Sequence, residues 1–114
     1  FIFAAPFCQK LGIPLHLVRK QGKLPGKTIS RSYELEYGSA TLEMHVDDIV
    51  PGSRFLIVDD LIATGGTVAA TCEMIRAGGA EPFAAFSVIG LPFLNYRSAL
   101  KDLRIDTLIE YFGE

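Results

Sequence analysis

The spacing of apolar positions changes several times along the 114-residue chain and predicts alternating strands and helices. Four consecutive apolar residues, Phe55 to Val58, are typical of a strand buried on both faces of a parallel sheet. From Val68 to Arg76 apolar residues recur at helical spacing, which predicts a helix ending at Gly78–Gly79. Further predicted elements are a helix within 1–11 closed at Gly12, strands over 14–18, 83–89 and 107–111, and a short helix over 96–103. The order predicts an α/β fold, a parallel sheet flanked by helices with right-handed crossovers.

A different pattern occupies the middle of the chain. Apolar and polar residues alternate over 32–37 and again over 41–46, with Gly38–Ser39 between the two runs. This pattern predicts a β-hairpin. A two-stranded ribbon is marginally stable alone, so we expect it to dock on the body or to move as a protruding lid. Glu34, Glu43 and His45 are predicted to lie on its solvated face.

Candidate chemistry follows the buried strand, where Asp59 and Asp60 precede a turn of small residues: Ala63, Thr64, Gly65, Gly66 and Thr67. Open α/β sheets bind ligands at the carboxyl ends of their strands. Glycine amides, threonine hydroxyls and a helix N-terminus can together hold a phosphate. The two carboxylates would repel that phosphate, but they suit ribose hydroxyls, directly or through Mg²⁺. Either feature alone would more often be structural, as acids that cap a turn and helix.

Two further observations concern lysine and arginine residues. No lysine follows the glycines, which excludes the G-x-x-x-x-G-K-[ST] nucleotide loop. Arg19, Lys20 and Lys23 form a short cationic cluster before the hairpin, and a cluster of this size is more often surface charge than a site.

The strand, the acids and the turn together resemble the phosphoribosyl diphosphate signature of the type I phosphoribosyltransferases. Residues 18–26, 28–30, 32–38 and 42–47 also resemble the adenine phosphoribosyltransferases, and the likeness weakens after about residue 92. The resemblance implies a type I phosphoribosyltransferase fold and Mg²⁺-dependent transfer of phosphoribosyl from its 1-diphosphate to adenine. The products would be AMP and diphosphate, the pathway purine salvage, and the assembly a homodimer.

The same resemblance implies roles for individual residues. Glu36 matches an acid that faces the purine and ribose, and is the candidate catalytic residue. Lys20 and Lys23 match residues near the diphosphate, while the backbone at Arg19 would read the purine edge. Leu91 aligns with an apolar residue that packs on adenine, although an ordinary core residue at a strand end is an equal alternative. Its neighbour Gly90 departs from the acid expected there.

The resemblance leaves two other functions open. The chain could serve another purine, because the base-covering hood carries part of the selectivity. It could instead be a non-catalytic regulator that senses phosphoribosyl diphosphate, since a fold does not fix a function. Retention of the basic loop and of Glu36 favours catalysis.

Composition limits the partners. A net charge of −2 gives no nucleic-acid footprint, and no apolar run approaches the roughly 20 residues needed to span a bilayer. Cys8 and Cys72 are too few for a disulfide framework and predict free thiols in a reducing compartment, so we expect a cytoplasmic protein. The opening residues Phe1–Ala5 lack a basic lead and do not resemble a signal peptide.

Domain organisation follows from the resemblance. Residues 1–114 are expected to form a single phosphoribosyltransferase domain that lacks its N-terminal strand, diphosphate loop and hood. Residues 20–47 would be a flexible catalytic loop within it.

Overall fold

Strands in the described residues, 3–35 and 37–113, form two three-stranded sheets in this computed structural model. In chain order the elements are α1 (Ala4–Leu11), β1 (Arg19–Lys20), β2 (Thr28–Glu34), β3 (Ser39–His45), a 3₁₀ turn (Val46–Asp48), β4 (Arg54–Ile62), α2 (Gly66–Ala77), β5 (Glu81–Gly90), a second 3₁₀ turn (Pro92–Leu94), α3 (Tyr96–Ala99) and β6 (Arg104–Glu110). The predicted first helix is confirmed, and Gly12 ends it in the left-handed conformation, with φ of 66°.

The predicted parallel sheet is confirmed. Its strand order is β4-β5-β6 and both pairs are parallel, with Val58 opposite Phe86 and Phe86 opposite Asp106. One boundary was predicted wrongly, because β4 continues to Ile62 instead of ending at Asp59. Hydrogen bonding to β5 resumes at Leu61 and carries the strand three residues further. The two acids therefore lie within the last part of the strand, not after it.

The predicted hairpin is also confirmed. Strands β2 and β3 pair antiparallel from Thr28 opposite His45 to Glu34 opposite Ser39, and the two-residue β1 pairs with the other edge of β3. The N–H of Leu35 donates to the carbonyl of Gly38 at 2.9 Å and closes the hairpin end.

The predicted strand over 14–18 is wrong, because in the described residues this segment has no neighbouring strand to pair with. No strand among the described residues pairs with the outer edge of β4 either. Between the two lies a largely apolar cavity of about 490 Å³, whose lining includes Leu15, Leu17 and Phe55. Apolar residues at 14–18 therefore line a groove instead of forming a ladder.

The helix predicted over 96–103 is shorter than expected. It spans Tyr96–Ala99 and ends at Leu100, whose backbone leaves the helical region at φ −124° and ψ 41°. The chain then turns, and β6 starts at Arg104, three residues before its predicted start. Burial of Leu100 and Leu103 in the core holds both ends of this turn.

Helix α2 lies between two hydrophobic clusters. Val68 and Cys72 belong to the cluster formed with α3 and the parallel sheet, whereas Met74 and Ile75 belong to the one formed with the hairpin. Ile57 of β4 packs against both clusters. In the part of the chain that the structure describes, no helix is long and apolar enough to cross a membrane.

Candidate active site

The two acids of β4 form an unequal pair. The backbone N–H of Asp60 donates to Oδ1 of Asp59 at 2.8 Å. Burial, with the adjacent Asp60 carboxyl, raises the pKa of Asp59 to about 6. The side-chain hydrogen bond with Asp59 lowers the pKa of the exposed Asp60. Asp60 thus stays charged at neutral pH, while Asp59 is the first of the two to take up a proton as the pH falls.

The small-residue turn ends at the start of α2. Gly65 precedes the helix with φ of 91°, a conformation that L side chains rarely adopt. Its carbonyl accepts the first helical hydrogen bond from the N–H of Ala69 at 2.8 Å, and no side chain of the described residues caps this end. The first-turn amides of a helix have no intrahelical partner, so they face the turn as anion donors.

The hairpin contacts this turn through Tyr33. The hydroxyl of Thr67 donates to the Tyr33 hydroxyl at 3.1 Å. A Cβ atom on Gly66 would lie 2.7 Å from Cδ2 of the same ring, which is closer than real Cβ atoms approach. Glycine at position 66 is therefore what allows the hairpin to rest on the helix start.

The cationic residues lie at the other end of the hairpin sheet. The N–H of Lys23 donates to the carbonyl of Lys20 at 3.2 Å, which closes a tight turn over residues 20–23, here named the basic turn. Gly22 has φ of 86°, as the third residue of a type II turn requires. Arg19 pairs opposite Glu43 in the sheet, and both lysines are exposed.

Two of the three side chains predicted to be solvated make polar contacts within the protein. Glu43 is buried, with 6% exposure, and its carboxylate accepts hydrogen bonds, so that prediction was wrong. Nε2 of His45 lies 2.7 Å from the carbonyl oxygen of Pro25, and its Nδ1 lies 3.8 Å from Asp48. Glu34 is exposed, as predicted. Periodicity missed Glu43 because it reports which face a residue occupies, not which loop folds over that face.

Two further candidates are placed differently. Glu36, the candidate catalytic acid, lies outside the described residues. Leu91 follows β5, is half-buried, and donates its N–H to the carbonyl of Ile62 at 3.0 Å. A Cβ on Gly90 would lie 2.7 Å from the Tyr96 hydroxyl, so an acid there would require Tyr96 to shift. That hydroxyl instead donates to Glu110, which sits opposite Gly90 in the sheet.

The geometry brings part of the predicted site together. Asp59 and Thr67 line the same cavity, and Tyr33 joins the hairpin to the small-residue turn. In residues 3–35 and 37–113 no group of three or more His, Cys, Asp or Glu side chains could hold a metal ion. The arrangement can bind an anion at the start of α2 and hydroxyl groups beside it at the end of β4.

Comparison with known proteins gives the family that the sequence resembles. The phosphoribosyl transferase domain family matches residues 1–109. Adenine phosphoribosyltransferases of Treponema pallidum and Treponema denticola are 62% and 57% identical over 114 residues, which is all of this chain and 60% of each relative. The chain therefore spans less than two thirds of the length of these relatives.

Solved structures agree in fold. The adenine phosphoribosyltransferase of Thermoanaerobacter pseudethanolicus superposes with a TM-score of 0.94 at 42% identity, covering 97% of this chain and 64% of that one. The Saccharomyces cerevisiae enzyme, solved with adenine and an imino-altritol bisphosphate, gives 0.90 at 41% identity, covering 95% and 61%. With the expected sheet, acids and turn in place, the chain belongs to the phosphoribosyltransferase family.

Proposed function

We propose that the full-length protein transfers the phosphoribosyl group of 5-phosphoribosyl 1-diphosphate to adenine, forming AMP and diphosphate in purine salvage. The observation that carries the proposal is the uncapped start of α2 directly after the Asp59–Asp60 pair. The high identity to proteins named adenine phosphoribosyltransferase supports adenine as the base. The yeast relative solved with adenine supports it independently.

The donor's 5-phosphate would bind at residues 63–67. Amides from Gly66 onward supply donors, and the helix N-terminus adds partial positive charge. The hydroxyl of Thr67, which donates to Tyr33 in this structure, would add a donor on releasing that bond. The ribose hydroxyls would then meet Asp59 and Asp60, whose carboxylates accept hydrogen bonds. The unequal pKa values of the pair suit this role, because Asp60 remains a charged acceptor at neutral pH.

The chemistry forms a bond between a ring nitrogen of adenine and the anomeric carbon as the bond to diphosphate breaks. Positive charge develops on the sugar, the electron pair leaves with diphosphate, and the ring nitrogen loses its proton. Nearby carboxylates stabilise that positive charge, and we assign this task to Glu36 with the Asp59–Asp60 pair. Glu36 is also the candidate acceptor of the purine proton, which would require its carboxyl to be partly dry.

Basic residues and an apolar side chain complete the proposed site. Lys20 and Lys23 would neutralise the leaving diphosphate, and the backbone at Arg19 would read the purine edge. Leu91 would pack on the adenine ring.

A magnesium ion fits the donor set of this chain. Mg²⁺ is usually held by one or two carboxylates together with substrate oxygens, and Asp59 with Asp60 offers the former without a protein cage. When bound, it would supply charge neutralisation at the diphosphate. Asp59 and Asp60 would hold it together with oxygens of the substrate.

We further propose that residues 1–114 are part of one phosphoribosyltransferase domain in which residues 20–47 form a catalytic loop. The unpaired edge of β4 and the apolar groove beside it would accept a strand from an N-terminal segment, with a diphosphate loop and a base-covering hood. A homodimer in the cytoplasm is part of the same proposal, without nucleic-acid or membrane partners.

The test is an assay of the full-length protein for adenine-dependent release of diphosphate with Mg²⁺, with hypoxanthine, guanine and xanthine in parallel. We expect turnover with adenine alone. Turnover with another purine would keep the mechanism and change the base. Donor binding without turnover for any base would instead indicate a phosphoribosyl diphosphate sensor.

Variants separate the residue roles. Asp59→Asn with Asp60→Asn should weaken use of the donor, and unaltered donor kinetics would refute the ribose assignment. Glu36→Gln should slow turnover at saturating substrates, whereas unchanged turnover would remove its catalytic role.

A further inference from the structure

Glu43 is a charged side chain with 6% exposure in a small peripheral sheet. Its Oε1 accepts hydrogen bonds from the N–H of Gly22 at 3.0 Å and from the N–H of Leu24 at 3.2 Å. Oε2 accepts a hydrogen bond from the hydroxyl of Thr28 at 3.3 Å. Burial of a carboxylate is costly unless such donors replace water, so these three bonds are what keep Glu43 inside.

All three donors belong to the segment that carries the basic turn. Lys20 and Lys23 occupy the first and fourth positions of that turn, which places their Cα atoms within about 7 Å of each other. The N–H of Gly22 inside the turn and that of Leu24 just after it both point to one oxygen of Glu43. Glu43 thus fixes the turn from within the sheet.

Within residues 3–35 and 37–113, the other backbone ties of the basic turn to the body are few, and just beyond the turn the carbonyl oxygen of Pro25 lies 2.7 Å from Nε2 of His45. Strand β1 contributes only two residues to the sheet, and the N–H of Gln21 donates to the carbonyl of Thr41 at 3.0 Å. Loop segments with few backbone partners open readily, and ordering them on binding costs free energy. The Glu43 carboxylate, which accepts hydrogen bonds from two backbone amides of this loop, therefore sets how well ordered Lys20 and Lys23 are before a ligand binds.

We propose that Glu43 is a positioning residue that holds Lys20 and Lys23 ready for the diphosphate group of the donor. The inference rests on the proposed function, since it assigns these lysines to diphosphate. Cations fixed in advance stabilise an anion at less entropic cost than cations on an unanchored loop. Glu43 acts through the turn and does not itself touch the substrate.

The experiment compares two probes on the full-length protein by calorimetry. Inorganic diphosphate with Mg²⁺ reports on the basic turn, while ribose 5-phosphate reports on the turn at residues 63–67. Glu43→Ala should weaken diphosphate binding about tenfold, a loss typical of anchoring contacts, and leave ribose 5-phosphate binding unchanged. Glu43→Gln should recover most of the loss, because its amide oxygen can still accept from both backbone donors.

Hydrogen exchange and a matched control complete the design. In Glu43→Ala the amides of Gly22 and Leu24 should exchange faster, while those of β5 should not change. Glu34→Ala removes an exposed carboxylate from the same hairpin and should change neither probe. If Glu43→Ala does not fold, Thr28→Val removes only the donor to Oε2 and should give a smaller loss, of about twofold, on diphosphate alone.

Equal losses for both probes, or unchanged diphosphate binding in variants whose loop amides exchange faster, would overturn the proposal. If the wild-type protein binds diphosphate but does not turn over adenine, the proposed function is refuted. A loss of diphosphate binding without a loss of ribose 5-phosphate binding in Glu43→Ala would still test Glu43. If adenine turnover is normal and Glu43→Ala does not show that difference, only the role of Glu43 is refuted.

Discussion

Gly66 offers a direct test of whether the hairpin rests on the start of α2. Glycine here is helical, so the substitution Gly66→Ala introduces no backbone strain, and its effect comes from the added methyl group. That methyl would lie 2.7 Å from Cδ2 and 3.2 Å from Cε2 of Tyr33. Ordinary contact requires 3.4 Å or more, so the ring must move by several tenths of an ångström.

The magnitude follows from what that movement disrupts. Overpacking of one methyl group typically costs about 1–3 kcal/mol, and loss of the hydrogen bond between Thr67 and Tyr33 adds about 1 kcal/mol. Replacing glycine by alanine in a helix stabilises the folded state by about 0.5–1 kcal/mol, which offsets part of this loss. We therefore expect Gly66→Ala to lower the free energy of unfolding by about 1–3 kcal/mol.

The assay is a double-mutant cycle in urea on the full-length protein. In the Tyr33→Ala background the obstructing ring is absent, so Gly66→Ala should become neutral or stabilising by up to about 1 kcal/mol. Gly113→Ala, at a glycine with nothing within 4 Å of the added Cβ, is the matched control and should have no effect. Equal destabilisation by Gly66→Ala in both backgrounds would refute the contact.

Three further results are expected. Because the pKa of Asp59 is raised to about 6 in the folded state, this group stabilises the fold fully below pH 4 and loses that contribution as the pH rises through 6. Asp59→Asn should flatten this part of the pH profile of unfolding, and an unchanged profile would contradict the burial of Asp59. Gly65→Ala places a side chain at φ 91° and 3.1 Å from Leu100, so ribose 5-phosphate binding measured by calorimetry should fall by at least tenfold. Retained affinity would show that the turn tolerates distortion. Met74→Ala, at a fully buried position, should cost about 2–5 kcal/mol of unfolding free energy in urea and leave the affinity for ribose 5-phosphate unaltered in the folded protein.

Local pattern predicted the elements whose burial is decided by their own residues. The run before Asp59 predicted a central strand, and the helical spacing after Thr67 predicted α2 with its end at Gly78. Alternation likewise predicted the hairpin. In each case the spacing of apolar residues within the element shows which of its faces must be covered, so the local pattern is enough to predict the element.

The wrong predictions concern features that depend on distant parts of the chain. Residues 14–18 have strand-like composition, but a strand needs a neighbour, and in the described residues this segment and the edge of β4 line a cavity without pairing. Glu43 alternates like a surface residue, yet the basic turn folds over it, and Gly22 in the turn and Leu24 just after it supply two amide donors. Neither the neighbour of a strand nor the loop that covers a side chain is encoded in local spacing.

Placement of α2 between the two clusters has a consequence for cooperativity. One helix supplies Val68 to the parallel sheet's cluster and Met74 to the hairpin's cluster, and Ile57 touches both. If either sheet separated from α2, it would expose apolar surface that also packs in the other cluster. The hairpin and the sheet that carries the acids should therefore unfold together, so that the slowest-exchanging amides of β3 and β5 report the same global free energy.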